Sequence, residues 1–417
     1  LKPYIRGGGV PDGGQIVSES EVGVYVDDVF RPRLSAGLLN FVELDRIEVM
    51  RGPQGVLYGR NSSGGAVNII TRAPEKTFGG NIEVGYGSWN DTKIKGYVTG
   101  ALSEDGRWRG SFQGMIKDRD GGAQHNVTLN KDVGAEKFDG FQGDLAYVGD
   151  QLEARLSVFS MHIDSDGQWS VPNTPSSDGK TFTPSTGSYR TVASPVDSYT
   201  RVRQDGASLK LSYTLPALKL TSITGYSKLS DAWRQDFSGG VSSTLLGMPG
   251  PATMLALFDR SSDTHQKQFS QEFQAAGQAM NGKLDYVAGL YYFTEEGDQY
   301  QNSIIFFSPI VTTFKPKTTS TALFGQMTYH ASDRVDLILG GRQTSEDKKL
   351  DGTTFGFPYP HASNSYHKFT PKVGIDYKVA PDVLAYASYS EGFKAGGYNG
   401  LAMSPAEITN PYLPQTT

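Results

Sequence analysis

The stretch YGRNSSGGA, Tyr58–Ala66, carries residue types that in other settings hold a phosphate. Gly59 and Gly64 have the spacing of the glycines in a phosphate-binding loop, whose backbone N–H groups cradle the oxygens while a lysine and a Ser or Thr complete the site. Gly65 and Ala66 stand where Lys and Ser/Thr are needed, so nucleotide binding does not follow. The six histidines, His125, His162, His265, His330, His361 and His367, form no ligand-spaced cluster; only His361 and His367 are close. Glu295 and Glu296 are adjacent, and on a strand they point to opposite faces, so they make no acid/base pair. With no cysteine there is no thiolate site and no cysteine nucleophile. No catalytic residue, no cofactor-binding residue and no metal ligand is assigned.

The elements that must position this loop read as strands. The 417 residues include fifty glycines, 11% aromatics and only 37% hydrophobics, a composition that favours strands and turns over helices. A net charge of -5 implies no nucleic-acid partner, and no run approaches the eighteen apolar residues of a spanning helix. In LEARLSVF, Leu152, Ala154, Leu156 and Val158 oppose Glu153, Arg155 and Ser157; in LDYVAGLYY, Leu284, Tyr286, Ala288, Leu290 and Tyr292 make one face. FSQEFQA and VDLILGGRQ alternate in the same way, with Glu272 on the polar face of the former. Period two means strand. Tight turns (SEDGR, VGDQ, LPA, GQAMNG, ASDR, APD) alternate with long polar segments, at about Gly121–Glu136, Asp166–Arg203, Gly239–Asp263, Gln301–Thr319 and Gly352–His367. That asymmetry fits an outer-membrane barrel, with short turns on the periplasmic side and long loops outside. About thirteen strands fit between Phe78 and Asn399, and Tyr86, Trp89, Phe159, Trp169, Trp233, Phe293 and Tyr398 suit interfacial girdles. A spanning sheet must close, so thirteen strands read as part of a larger barrel, and the chain reads as truncated at both ends.

The segments VGVYVDDVF and LDRIEVMRGPQGVLYGRNSSGGAVNIITRAP resemble the plug domain of TonB-dependent outer-membrane receptors. The following FGGNIEVGYGSWNDTKIKGYVTGALSEDGRWRGSFQGMIKDRDG resembles the family's first barrel strands, and LAYASYSEGFKAGGYN a later one. The resemblance implies an all-β-dominated chain: a small α+β plug, partial, in residues 1–77, then a transmembrane antiparallel β-barrel in 78–417 with about thirteen of an expected twenty-two strands. The plug motif is then Arg51, Gly52, Pro53, Gly55, Tyr58, Gly59, Gly64 and Gly65, its glycines serving close packing or positive φ and Pro53 fixing the turn after Arg51. Arg51 and Arg72 are expected to pair with acidic residues on the inner wall, Glu272 being the preferred partner. The implied function is energised uptake of a scarce ligand, most often a ferric siderophore, by a monomeric barrel in the outer membrane lipid of a Gram-negative bacterium. The energy comes through TonB, gripped by an N-terminal box that this chain lacks. Two rivals stand beside it: a passive porin or adhesin barrel, against which the plug motif counts, and a β-rich surface hydrolase, for which no nucleophile or carboxylate pair is visible.

Overall fold

The computed structural model describes residues 4–5, 7–9, 15–33, 42–402 and 404–417. The Gly/Ser-rich loop belongs to a small sheet of β1 (Val22–Val26), β2 (Val29–Phe30), β3 (Leu44–Arg51) and β4 (Gly65–Thr71), in the order β2-β1-β4-β3. β1 reads VGVYV and is buried at every position, as a strand covered on both faces requires. It runs parallel to β4, from Val22 opposite Gly65 to Val26 opposite Ile69. Asp27 and Asp28 turn β1 into β2 with φ of 49° and 67°. The Asp27 carboxylate accepts the Thr71 N–H at 2.9 Å and the Thr71 hydroxyl at 2.7 Å, pinning that turn to the end of β4. Among the described residues of the plug there is no helix; residues 34–41 of the expected α+β unit lie outside them.

A second, much larger sheet begins at Gly79. Thirteen strands follow in sequence order, from Gly79–Gly87 to Val383–Ser390, each antiparallel to the next, with the short Phe357–Pro358 pairing beside Val335–Thr354. Its two faces invert the rule for a water-soluble protein. Phe273, Leu290 and Leu323 are more than half exposed, whereas Gln299, Ser320 and Glu346 on the opposite face are buried. Outward apolar and inward polar residues are what a wall between lipid and an occupied lumen demands. The first and last strands each have one neighbour among the described residues.

All six tight turns join wall strands at one end of the sheet. At the other end, residues 120–135, 166–198 and 237–257 form long connections. Two of these are tied together, since Gln124–Asn126 pairs with both Lys131–Val133 and Thr191–Val192. The other two expected loops are corrected. Gln301–Thr319 is a hairpin: Leu284–Ile305 and Ser308–Ser332 run on to a two-residue turn at Phe306 and Phe307, with φ of 46° and 69°. Gly352–His367 shrinks to residues 355–361 between Val335–Thr354 and Ala362–Ala380. Polar and apolar residues mix on both faces of these strand ends, with Ile304 beside Ile305 and Ile310 beside Val311, so no apolar alternation marks them. Their pairing rests on backbone bonds and on threonine pairs such as Thr312–Thr354 at 3.1 Å.

Three girdle assignments also change. Phe159 and Phe293 are buried because their positions put them on the lumen side against the small sheet, and Tyr398, beyond the last wall strand, is buried among Ile16, Val17, Phe314 and Leu350. Tyr86 and Trp89 are exposed, as a girdle requires. After Ser390 the chain leaves the wall: Phe393–Lys394 pairs with Gln415–Thr416, and Phe393, Ala395 and Tyr398 are buried.

Candidate functional site

The loop between β3 and β4 enters the lumen and is clamped there by charge. Arg60 is buried and directs Nη2 at Glu19 Oε1 (2.7 Å) and Nη1 at Glu346 Oε2 (3.0 Å). Lys348 binds the same Glu19 oxygen and stands 3.5 Å from Glu346. Glu346 and Lys348 are two apart on Val335–Thr354, which puts both on the lumen face, while Glu19 precedes β1. Two acids and two cations thus close a neutral, buried cluster between plug and wall. The Arg60 guanidinium also lies over the rings of Phe30 and Phe293, at 5.8 and 5.2 Å.

Electrostatics within the cluster are mutually reinforcing. Burial pushes the Glu19 carboxyl up, but Arg60, Lys348 and Arg33 outweigh it and hold the group well below the ordinary carboxylate range. Burial likewise opposes the charge on Arg60, and Glu19, Glu346 and Glu295 overcome that, raising it above the ordinary guanidinium value. A second clamp stands beside the first. Arg33 reaches Glu295 on the wall at 3.0 Å and donates to the carbonyls of Ile16 and Ser18 at 2.5 Å each.

The residues around Arg60 explain the composition of the loop. Asn61 donates to Glu19, accepts the Ala395 N–H at 3.0 Å and gives its own N–H to the Phe393 carbonyl at 2.9 Å. Ser62 donates to the Gly59 carbonyl at 2.5 Å. Gly59 has φ of +75°, and a Cβ there would lie 2.6 Å from Arg342 Cζ, a guanidinium held over the Tyr291 and Phe324 rings. At Gly55 a Cβ would meet the Glu391 carbonyl at 2.3 Å. Pro53 accepts the Ser390 hydroxyl at 3.2 Å, Tyr25 donates to the Tyr58 carbonyl at 2.5 Å, and Gly52 and Gly64 close the loop with an N–H···O bond of 3.2 Å. Gly65 completes the turn into β4 at φ +147°. The small, flexible residues let a backbone loop and its one arginine fit a crowded lumen.

The expected anchors are not the ones that meet. Arg51 ends β3, the edge strand of the small sheet, where it is exposed and has no ion pair among the described residues. Glu272 does face the lumen, but its side chain accepts from Gln274 and makes no contact with Arg51. Arg72 pairs with the nearby Glu75 at 2.5 Å and touches the wall through the Tyr97 ring, 5.2 Å from its guanidinium. The signal for Arg60 was available in YGRNSSGG, where it is the single cation; Glu346 and Lys348 were marked by parity in SEDKKL.

Further wall contacts surround the rest of the small sheet. Arg155 lies 3.0 Å from Asp144 and donates to Thr71 at 2.7 Å, Lys210 reaches Asp28 at 2.7 Å, and Lys95 reaches Glu43 at 2.9 Å. Val24, Val26, Val42 and Ile69 pack against Met115, Phe138, Met161 and Leu229 of the wall. Arg31 is buried over the Phe159 ring at 5.0 Å, and burial lowers its guanidinium to about 10 despite Asp27.

Comparison with known proteins agrees with this architecture. Residues 157–417 match the family model described as TonB dependent receptor-like, beta-barrel, and residues 2–66 match the TonB-dependent Receptor Plug Domain. The chain is 26% identical over 385 residues to the pesticin receptor of Yersinia pestis, covering 91% of this chain and 53% of that protein. It is 25% identical over 427 residues to the ferric-pyoverdine 358 receptor of Pseudomonas putida, covering 94% and 48%. It therefore spans about half the length of the curated relatives it matches. The crystal structure of the ferric yersiniabactin uptake receptor FyuA from Yersinia pestis superposes with a TM-score of 0.78 at 20% identity, covering 99% of this chain and 64% of that one. With a plug sheet clamped inside a lipid-facing wall, and a family model matched over more than half of its residues, the chain belongs to the TonB-dependent receptors of the outer membrane.

Proposed function

We propose that the full-length protein takes up a ferric siderophore across the outer membrane of a Gram-negative bacterium, as a monomeric barrel energised through TonB and without a cofactor or catalytic step. Residues 1–77 act as the plug and 78–417 as the barrel domain; the small sheet ending at Thr71 and the large sheet beginning at Gly79 support that division. The observation that carries the reading is the Glu19–Arg60–Glu346–Lys348 cluster. A passive pore has no use for a stopper fastened inside it. A charged clamp suits a stopper that must be freed, because each ion can be rehydrated once water enters, and its strength therefore depends on water staying out. The names of the ferric-pyoverdine and ferric yersiniabactin receptors favour an iron chelate as ligand.

The test is uptake of radio-iron siderophores by cells whose only such receptor is the full-length protein. Uptake is expected for at least one siderophore class and is abolished by deletion of TonB or by a protonophore, while surface binding of the ligand persists. Entry that continues without TonB would make the protein a passive channel.

A further inference from the structure

One proline interrupts the wall where the plug is clamped. The ladder between Leu284–Ile305 and Ser308–Ser332 runs through Glu296–Lys317 and resumes at Gln299–Phe314, with the two positions between them unpaired. On its other side Pro316 keeps its place in the ladder opposite Leu350, as Lys315 does opposite Asp351. The proline nitrogen therefore faces Gly297, whose carbonyl would receive the N–H that proline lacks. Proline inside a sheet is ordinarily confined to edges and bulges, yet this one stands in an interior strand of the wall. Pro371 carries no such cost, since the ladder from its strand to Val383–Ser390 begins only at Lys372–Ser390.

Both faces of this seam bear on the clamps. Gly297 shares the lumen face with Glu295, and a Cβ there would lie 2.8 Å from Ile16 Cδ1 and 2.2 Å from the His265 carbonyl, so no side chain thickens the wall at that point. Behind the seam lies a cavity of about 20 Å³, room for one water, lined by Glu19, Arg33, Glu295, Thr318, Lys348 and Tyr398. Its charged groups belong to both ion clamps. On the outer face a larger cleft is lined by Glu296 and Pro316 too, so the two cavities meet at these residues. That face is charged at this height: Glu296 lies 2.8 Å from Lys267 and 3.2 Å from Lys317, and the Tyr226–Phe269 pair stands two residues nearer the tight turns. Water rather than lipid meets the seam.

We propose that the Gly297–Pro316 seam is a side port that admits one water from the outer face of the wall to the ion clamps of the plug. Held among two carboxylates and two cations, that water accepts hydrogen bonds from Arg33 or Lys348 and donates to Glu19 or Glu295. It hydrates the clamp ions without crossing the lumen, and so sets how readily they separate. For its bearing on release the inference rests on the uptake reading; the water site itself does not.

The test is X-ray radiolysis of the purified full-length receptor in detergent after rapid mixing into heavy-oxygen water, which oxidises side chains beside a bound water and marks them with the isotope it carries. Ile16 and Val17 line the cavity and are buried, out of reach of radicals from bulk solvent. Both are expected to be oxidised in the wild type and to acquire heavy oxygen as the water exchanges. Pro316→Ala restores the N–H to Gly297 and is expected to slow that exchange roughly fivefold, the effect of one backbone hydrogen bond. Pro371→Ala should exchange as wild type, and unchanged heat-modifiability checks folding. Absence of oxidation at Ile16 and Val17 would remove the water, and wild-type exchange in Pro316→Ala would route it through the lumen; either result overturns the proposal. Siderophore uptake is read separately: in Pro316→Ala its saturated rate is expected to fall while surface binding keeps its affinity, and an unchanged rate would overturn the role in release. No TonB-dependent uptake by the wild type would sink the uptake reading and leave the exchange result as measured.

Discussion

Arg60 decides how firmly the plug is held, because it is the plug's own cation in the cluster and bridges Glu19 of the plug to Glu346 of the wall. Arg60→Ala leaves Glu19 and Glu346 buried with only Lys348 between them. Breaking a buried pair in this way costs about 3–5 kcal/mol, an upper value for a lumen that water can enter. In the full-length receptor the variant is expected to admit large antibiotics, measured as increased susceptibility, while Arg51→Ala leaves cells as wild type. Adding Glu346→Ala to Arg60→Ala should raise leakage by less than the sum of the single effects, since both remove one interaction; additive leakage would separate the two residues. The clamp also has a defined acid response. Folding depresses the Glu19 carboxyl, so its stabilising contribution is complete above the ordinary value of 4.5 and is lost only as pH falls toward the lower folded value. Susceptibility is therefore expected to stay flat from pH 7 to pH 5, and an increase across that window would assign the clamp to another group.

At the scale of elements, the hairpin between Leu284–Ile305 and Ser308–Ser332 carries an avoidable cost. A turn with positive φ at both central residues favours Asn-Gly, yet Phe306 and Phe307 occupy it, and non-glycine residues there cost about 1–2 kcal/mol each. Both rings are exposed, so little burial offsets the strain. Phe306→Asn with Phe307→Gly is expected to raise the thermal unfolding temperature of the full-length receptor, whereas Phe355→Asn, already followed by Gly356, should gain less. An unchanged or lower temperature for the double variant would mean that the rings make contacts beyond this chain's described residues. The same pair of phenylalanines explains why the hairpin was illegible in the sequence: the residues that announce a tight turn are missing from it. The six short turns were legible because SEDGR, VGDQ, LPA, GQAMNG, ASDR and APD each contain Gly, Pro, Asn or Asp.

For the whole molecule, the wall's inverted faces match a lipid surround, and the turn asymmetry predicts its orientation. Protease added to intact cells is expected to cut within residues 166–198 or 237–257 and to spare VGDQ and APD. Cleavage at the short turns alone would invert the orientation. The 417-residue chain expressed by itself presents two sheet edges, Gly79–Gly87 and Val383–Ser390, with unpaired backbone groups that hydrocarbon cannot satisfy. It should aggregate rather than give a heat-modifiable monomer in detergent; such a monomer would show closure with the strands present.

By itself the sequence determined the strand count, the alternation of turns and the inside-out polarity of the wall, because each of these is a period-two or turn-residue signal carried within one segment. It also argued against a nucleotide-phosphate loop, since Gly65 and Ala66 stand where Lys and Ser/Thr are needed. Only the tertiary structure decided which charges meet. Arg51 and Arg60 are equally arginine in the sequence, but one ends an exposed edge strand and the other is carried by a tight glycine loop to a wall strand nearly three hundred residues away. Ion pairing depends on a few ångströms across such distances in the chain, and no local pattern encodes it. Phe159 and Phe293 misled for the same reason: an aromatic on the lumen face looks like a girdle residue until the plug that covers it is in place.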